Sequence, residues 1–262
     1  MDLNEMDKFA KSMVKEAGHK IRHSFFSTIE INTKSNLNDL VTNIDKEIEQ
    51  FMIRKIQQQY PAHRILGEEG FGHVVESLQG VVWIVDPIDG TLNFIHQQRN
   101  FAISVGVYID GVGMLGYIYD VVRDELYSAE KGKGAYVNDE RLPMIEQQSI
   151  HKAVIGMNAR WLAPNRFQLQ TQLFRVVADC RSTRSYGSAA LEIAYVASGK
   201  LNGYISFNLS PWDIAGGAVI AQEVGAIVST VTGAPANYLT ADTFILANEV
   251  LHDQLLNEYL LT

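Results

Sequence analysis

Val81-Val82-Trp83-Ile84-Val85 runs directly into Asp86-Pro87-Ile88-Asp89-Gly90-Thr91. Five apolar residues in a row read as a buried strand, and the acid that follows closes it. A strand that ends on a carboxylate, turns tightly and opens a helix is a recurrent active-site arrangement in αβ folds. Asp86 and Asp89, three residues apart across such a turn, can converge on one point. Pro87 stiffens the turn, and Gly90 lets the backbone approach a ligand closely. If a helix starts at Thr91, the open amides of Gly90 and Thr91 form an anion site. The same residues also fit a capped turn in which Asp86 and Asp89 bond backbone amides. This stretch alone leaves both readings open.

Upstream, Leu3, Met6, Phe9, Ala10, Met13, Val14, Ala17 and Ile21 keep helical spacing, as do Ile44, Ile48, Phe51, Met52 and Ile56 before Pro61. A polar loop over residues 32–38 separates the two. Downstream, residues 101–108, 114–119 and 125–129 read as a meander of strands with Asp-Gly and charged turns. From residue 153 the rhythm becomes an alternation. Strands are expected at 153–157, 204–207 and 244–247. Helices are expected at 167–177, 188–198, 213–224 and over the last dozen residues, with Ser188 as an N-cap and Gly199 just past a helix end. A meander followed by alternation predicts layered α+β architecture in two packed subdomains of one domain, 1–148 and 149–262.

The chain has 262 residues, 47% of them hydrophobic, and a formal net charge of −8. That balance and the lack of a Lys/Arg run argue against a nucleic-acid partner. No stretch approaches the roughly 18 apolar residues of a membrane span. The first twenty residues mix acids and bases and lack an apolar signal-peptide centre, so a cytoplasmic location is expected. Cys180 is the single cysteine, which excludes an intrachain disulfide.

Three further acidic segments stand out. Gly67-Glu68-Glu69-Gly70 sets two repelling acids beside a strand end. Trp212-Asp213-Ile214-Ala215-Gly216-Gly217 opens an apolar helix. Asp213 there has the type and place of an N-cap, and each glycine within the helix is unfavourable by roughly 1 kcal/mol relative to Ala. Close packing on another element or on the site would offset that. Asp39-Leu40-Val41-Thr42-Asn43-Ile44-Asp45 admits a bland reading, with Asp39 as an N-cap and Asp45 on a solvated face.

These four segments, in this order and spacing, resemble the inositol monophosphatase family of the lithium-sensitive, Mg²⁺-dependent phosphatases. Asp86 to Thr91 matches that family's first signature and Trp212 to Gly217 its second, and the likeness runs over nearly the whole chain. Lys131-Gly132-Lys133-Gly134 resembles a structural hairpin of these enzymes rather than a nucleotide loop. The resemblance implies an αβαβα sandwich of the sugar-phosphatase type, a homodimer, and two or three Mg²⁺ ions. It implies that Glu68, Asp86, Asp89 and Asp213 ligate metal with side-chain oxygens and Ile88 with its carbonyl. Asp45 and Thr91 would orient the attacking water, with Glu68 beside them. Gly90 and Thr91 would hold the phosphate, and Lys34 and Asp39 would fall in a mobile loop. Five acids gathered without neutralisation would be prohibitive, so divalent cations are physically required. The implied chemistry is in-line attack by water that a cation has activated.

The resemblance puts the substrate's organic part against Asp89, Gly187, Ser188, Ala189, Ser206 and Asp213. Animal inositol-phosphate enzymes carry a Glu at the position of Ser206, seven residues before Asp213. A shorter, uncharged Ser opens the specificity to NADP(H), fructose 1,6-bisphosphate and other phosphomonoesters beside inositol 1-phosphate. Two other classes are weighed against this. A non-catalytic binding protein on the same fold should have lost a ligand, yet Glu68, Asp86, Asp89, Thr91 and Asp213 are all present. A glycosidase using paired carboxylates would leave the phosphate-like turn at Gly90 unexplained.

Overall fold

A computed structural model describes residues 2–26, 29–33, 40–164 and 166–261. Lys34 and Asp39, and with them most of the polar 32–38 segment, lie outside the described residues.

The chain opens with α1 (Leu3–Ser24), a pair of short antiparallel strands, β1 (Ile31–Thr33) and β2 (Leu40–Thr42), and α2 (Asn43–Gln59). β3 (Arg64–Gly67) and β4 (Val81–Asp89) follow. After α3 (Thr91–Gln97) come β5 (Ala102–Ile109), β6 (Val112–Asp120), β7 (Glu125–Glu130), β8 (Gly134–Val137) and β9 (Glu140–Arg141). These form a seven-stranded sheet in sequence order, parallel only between β3 and β4. The second half comprises β10 (Val154–Met157), α4 (Gln170–Asp179), β11 (Ser182–Arg184), α5 (Ala189–Ala197) and β12 (Gly203–Leu209). It closes with α6 (Pro211–Glu223), β13 (Ile227–Ser229), β14 (Asp242–Ala247) and α7 (Glu249–Gln254), which a π-helical turn extends to Leu260. The five-stranded sheet runs β11-β10-β12-β14-β13.

Strand alternation divides each sheet between two cores. On β4, Trp83 and Val85 meet Met6, Met13, Ile48 and Met52 of α1 and α2, whereas Val82 and Ile84 face the α5–α6 layer. On β12 and β14, Tyr204, Phe244 and Leu246 join that same middle core, and Ile205, Phe207 and Ile245 pack outward on α4 and α7. The result is five alternating layers, helix–sheet–helix–sheet–helix, as expected.

The two glycines inside α6 explain the closeness of its packing. A Cβ on Gly216 would lie 2.6 Å from the Val105 carbonyl and 2.7 Å from that of Tyr117, so the helix backbone rests on the backbone of β5 and β6. On Gly217 it would meet Ile193 of α5 at 2.6 Å. The helix-propensity penalty is offset by bringing a helix down onto a sheet. The 131–134 turn also finds a plain structural role. Its Gly132 and Gly134 amides each donate to the Glu223 carboxylate at 2.7 Å, which satisfies the turn from within the protein.

Candidate active site

β4 carries its pairing through the whole acidic turn, farther than the apolar run suggests, with a register shift between Asp86 and Asp89. The irregularity, typical of functional strand ends, swings both carboxylates to one side. Asp86 Oδ1 accepts the Ile88 amide at 2.9 Å, an Asx turn that holds the bend over Pro87. Gly90 follows with φ 96°, and a Cβ there would crowd the Gly187 carbonyl at 3.1 Å and that of Asn100 at 3.2 Å. Only glycine suits that conformation and that space. α3 then starts at Thr91 as expected, and Gly90 supplies no side-chain cap.

Asp45 does not sit on a solvated face. Thr42 is the N-cap and Asp45 the N3 residue of a capping box. Asp45 is fully buried; its Oδ2 accepts the Thr42 amide at 2.9 Å and the Thr42 hydroxyl as well. Burial raises its carboxyl above the ordinary range, and the bonds from Thr42 offset that only in part. Asp213 is presented in the same way. The N-cap of α6 is Ser210, with Pro211 behind it, and Asp213 at N3 accepts the Ser210 amide at 2.7 Å. The expectation that Asp213 itself caps the helix is corrected accordingly.

Asp89 is held from the second half of the chain. Its Oδ2 accepts the Ser188 hydroxyl and the Ala190 amide, the latter at 2.8 Å. The capped-turn reading holds for these residues, and it leaves room for the metal reading. A backbone amide anchors one oxygen of each of Asp86, Asp89 and Asp213 and thereby fixes the direction of the carboxylate. Ligand oxygens of these three residues lie within 4.8 Å of one another. Glu68 lies within hydrogen-bonding reach of Asp86. Burial, followed by the charges of Glu68, Asp89 and Asp213, drives the Asp86 carboxyl well above its ordinary range. Burial raises Asp89 to about 6, against the pull of Ser188. Like charges crowded at this density call for a cation, and an all-oxygen donor set fits hard Mg²⁺.

Beside the carboxylates lies a cleft lined by Asp89, Gly187, Ser188, Ala189, Ser206 and Asp213, together with Glu192, Tyr204, Asn208 and Arg160. The residues expected around the substrate's organic part are therefore brought together in one cavity. The Thr91 hydroxyl, at the start of α3, lies 3.2 Å from both Asp45 Oδ1 and the Ile88 carbonyl.

Two buried carboxylates that brace the acidic segments escaped sequence reasoning. Glu49 of α2 accepts the amides of Glu69 and Phe71. Glu192 of α5 accepts the Tyr186 amide at 2.7 Å and the Gly187 amide at 3.3 Å, while Asn93 Nδ2 holds the Tyr186 carbonyl at 2.7 Å from the other side. The loop that cradles Asp89 is thus clamped between α3 and α5. A lone acid on an apolar helix carries no motif. Its one available signal is that Glu49 falls a helical turn after Asp45.

An anchored cluster of carboxylates at a strand end, beside a glycine-led helix start with no side-chain cap, defines a metal-dependent phosphomonoesterase on a layered αβαβα fold. A profile of the inositol monophosphatase family matches residues 2–260. Inositol-1-monophosphatase of Bacillus subtilis (strain 168) is 50% identical over 256 residues, covering 98% of this chain and 97% of that protein. Staphylococcal SaIMPase-II bound to inositol monophosphate superposes with a TM-score of 0.88 at 41% identity, over 98% of this chain and 93% of that one. An IMPase/NADP phosphatase complexed with Mg²⁺ and phosphate gives a TM-score of 0.88 at 30% identity, over 97% and 94% of the two chains. The chain belongs to the inositol monophosphatase family, whose members are metal-dependent phosphoric monoester hydrolases. No described helix is long and apolar enough to cross a membrane.

Proposed function

We propose that this enzyme hydrolyses small soluble phosphomonoesters, inositol 1-phosphate among them, with two or three Mg²⁺ ions held by Glu68, Asp86, Asp89, Asp213 and the Ile88 carbonyl. The observation that carries this is the convergence of Asp86, Asp89 and Asp213 within 4.8 Å beside the Thr91–Asp45 pair. Bound Mg²⁺ supplies a lowered water pKa and neutralises charge on the leaving oxygen. The chain's own groups do the rest. The amides of Gly90 and Thr91 take phosphate oxygens at the start of α3. Asp45, acting through Thr91, accepts and steers the proton of the attacking water. Gly187, Ser188, Ala189, Ser206 and the side chains of Asp89 and Asp213 bound the organic part.

Specificity broader than inositol 1-phosphate is favoured by one observation. Ser206 lines the cleft from the inner face of β12, so no side chain at that position accepts substrate hydroxyls with a charge. The likeness to both an inositol-1-monophosphatase and an IMPase/NADP phosphatase agrees with such breadth. Phosphate release from inositol 1-phosphate, NADP⁺, fructose 1,6-bisphosphate and 3′-phosphoadenosine 5′-phosphate tests it. Measurable kcat/KM on inositol 1-phosphate and at least one other substrate is expected. Hydrolysis of none of the four would refute the proposal. By family likeness we also infer lithium inhibition, a cytoplasmic homodimer and a single functional domain. Light scattering in solution tests the dimer, and a LiCl titration tests the inhibition.

A further inference from the structure

Glu49 is fully buried. It lies on α2 one helical turn beyond Asp45, and among the described residues no Lys or Arg pairs with it. A buried carboxylate without a cation is expensive, and a hydrocarbon would fill the space more cheaply. What the carboxylate alone provides is a pair of acceptors aimed at two backbone amides. Oε2 accepts from Glu69 N at 2.6 Å and Oε1 from Phe71 N at 2.9 Å. From the other flank, the backbone of Gly67 lies directly on the carboxyl, and a Cβ there would stand 2.6 Å from Glu49 Cδ. Glu68 is the residue between these two contacts. Its neighbours on both sides are fixed by one side chain.

We propose that Glu49 is a positioning residue for metal binding: by gripping the 67–71 turn it aims the Glu68 carboxylate at Asp86 and keeps it in register with Asp45 on the same helix. The inference rests on Glu68 being a metal ligand. Glutamine cannot replace Glu49 in this role. It has one acceptor oxygen, and its amide nitrogen would oppose a backbone N–H.

The test is calorimetric titration of the metal-free protein with Mg²⁺ alone, with Tm measured in EDTA alongside. Glu49→Gln is expected to weaken Mg²⁺ binding about tenfold, roughly 1.4 kcal/mol. Glu49→Asp, which keeps both acceptors on a shorter stem, should fall between wild type and Glu49→Gln. In a Glu68→Gln background the Glu49→Gln change should add less than about twofold, because the residue it acts through is already gone. A lowered Tm with unchanged Mg²⁺ affinity would make Glu49 merely structural and overturn the inference, as would full additivity with Glu68→Gln. Unchanged Mg²⁺ affinity in Glu68→Gln alone would overturn the assignment of Glu68 as well, which separates the two failures. If Glu49→Gln does not fold, Gly67→Ala presses a methyl group against the same carboxyl. It should weaken Mg²⁺ binding in the same direction, and unchanged affinity there also overturns the inference.

Discussion

The Thr91 hydroxyl lies 3.2 Å from Asp45 Oδ1, across 46 residues of sequence and between two different helices. Asp45 cannot turn toward any other partner without breaking its bonds to Thr42. Asp45 is therefore a fixed acceptor for the Thr91 hydroxyl beside the Ile88 carbonyl at the same distance, and of the two only the carboxylate can take up a proton drawn from water. Thr91→Val keeps the shape and removes the relay. A fall in kcat of about two to three orders of magnitude is expected at saturating Mg²⁺, in the range of general-base contributions. The fold should lose only about 1 kcal/mol. Steady-state kinetics and thermal melts read both, and near-normal kcat would remove Thr91 and Asp45 from the proposed mechanism.

Asp89→Asn and Asp213→Asn should each reduce turnover below about 1% of wild type by weakening metal binding. Neither should weaken the metal-free fold. An Asn oxygen can still accept the anchoring bonds from Ser188 and Ala190, or from Ser210. Its NH₂ group would face a crowd of carboxylates favourably. Melting in EDTA should therefore place both variants at or above the wild-type Tm, and a clear loss there would mean a mainly structural role.

Glu192 makes a pH-dependent prediction. Burial raises its carboxyl to about 7, against the pull of the Tyr186 and Gly187 amides. Its Oε2 is buried with no hydrogen-bond partner among the described residues. A raised folded-state value favours the neutral acid on folding. The associated stability is present below the unfolded pKa of about 4.3 and is lost as pH rises through about 7. Glu192→Gln is neutral at every pH. In EDTA its stability should lie close to wild type near pH 4 and exceed it at pH 8.5 by an amount on the order of 3 kcal/mol, read as a higher Tm. A difference that is flat across this range would show that the carboxylate is not charged at the expense of the fold.

Ser206→Glu would restore a carboxylate to the cleft beside Asp213. It should raise kcat/KM for inositol 1-phosphate relative to NADP⁺ by about one to two decades, at 1.5–3 kcal/mol for a charged acceptor. Competition kinetics with both substrates measures the ratio. If wild type already favours inositol 1-phosphate a thousandfold over every alternative, Ser206 does not govern selectivity.

Most of this architecture was legible in the sequence because its helices and long strands carry periodic apolar faces, α1 and β4 above all. β1, β2, β11 and β13 have three residues each, too few to show alternation, and only their pairing partners define them. The N-cap of α6 is Ser210 rather than Asp213, and Thr42 and Ser210 stand three residues before Asp45 and Asp213, the spacing of a capping box that the acids alone obscure. The carboxylates proposed to hold metal were legible as motifs, and Asp86 and Asp213 are fixed locally by amides two and three residues away. The supports were not. Glu49 is 20 residues from the Glu69 amide it holds, and Ser188 is 99 residues from Asp89. Such partners meet only once the layers are packed.

The most direct measurement is phosphate release from inositol 1-phosphate by protein freed of metal with EDTA and then titrated with Mg²⁺. The convergence of Asp86, Asp89 and Asp213 requires that activity vanish on chelation and return in full on adding Mg²⁺, and that Asp89→Asn fail to recover at the same concentrations. Undiminished phosphate release after exhaustive chelation would contradict the account.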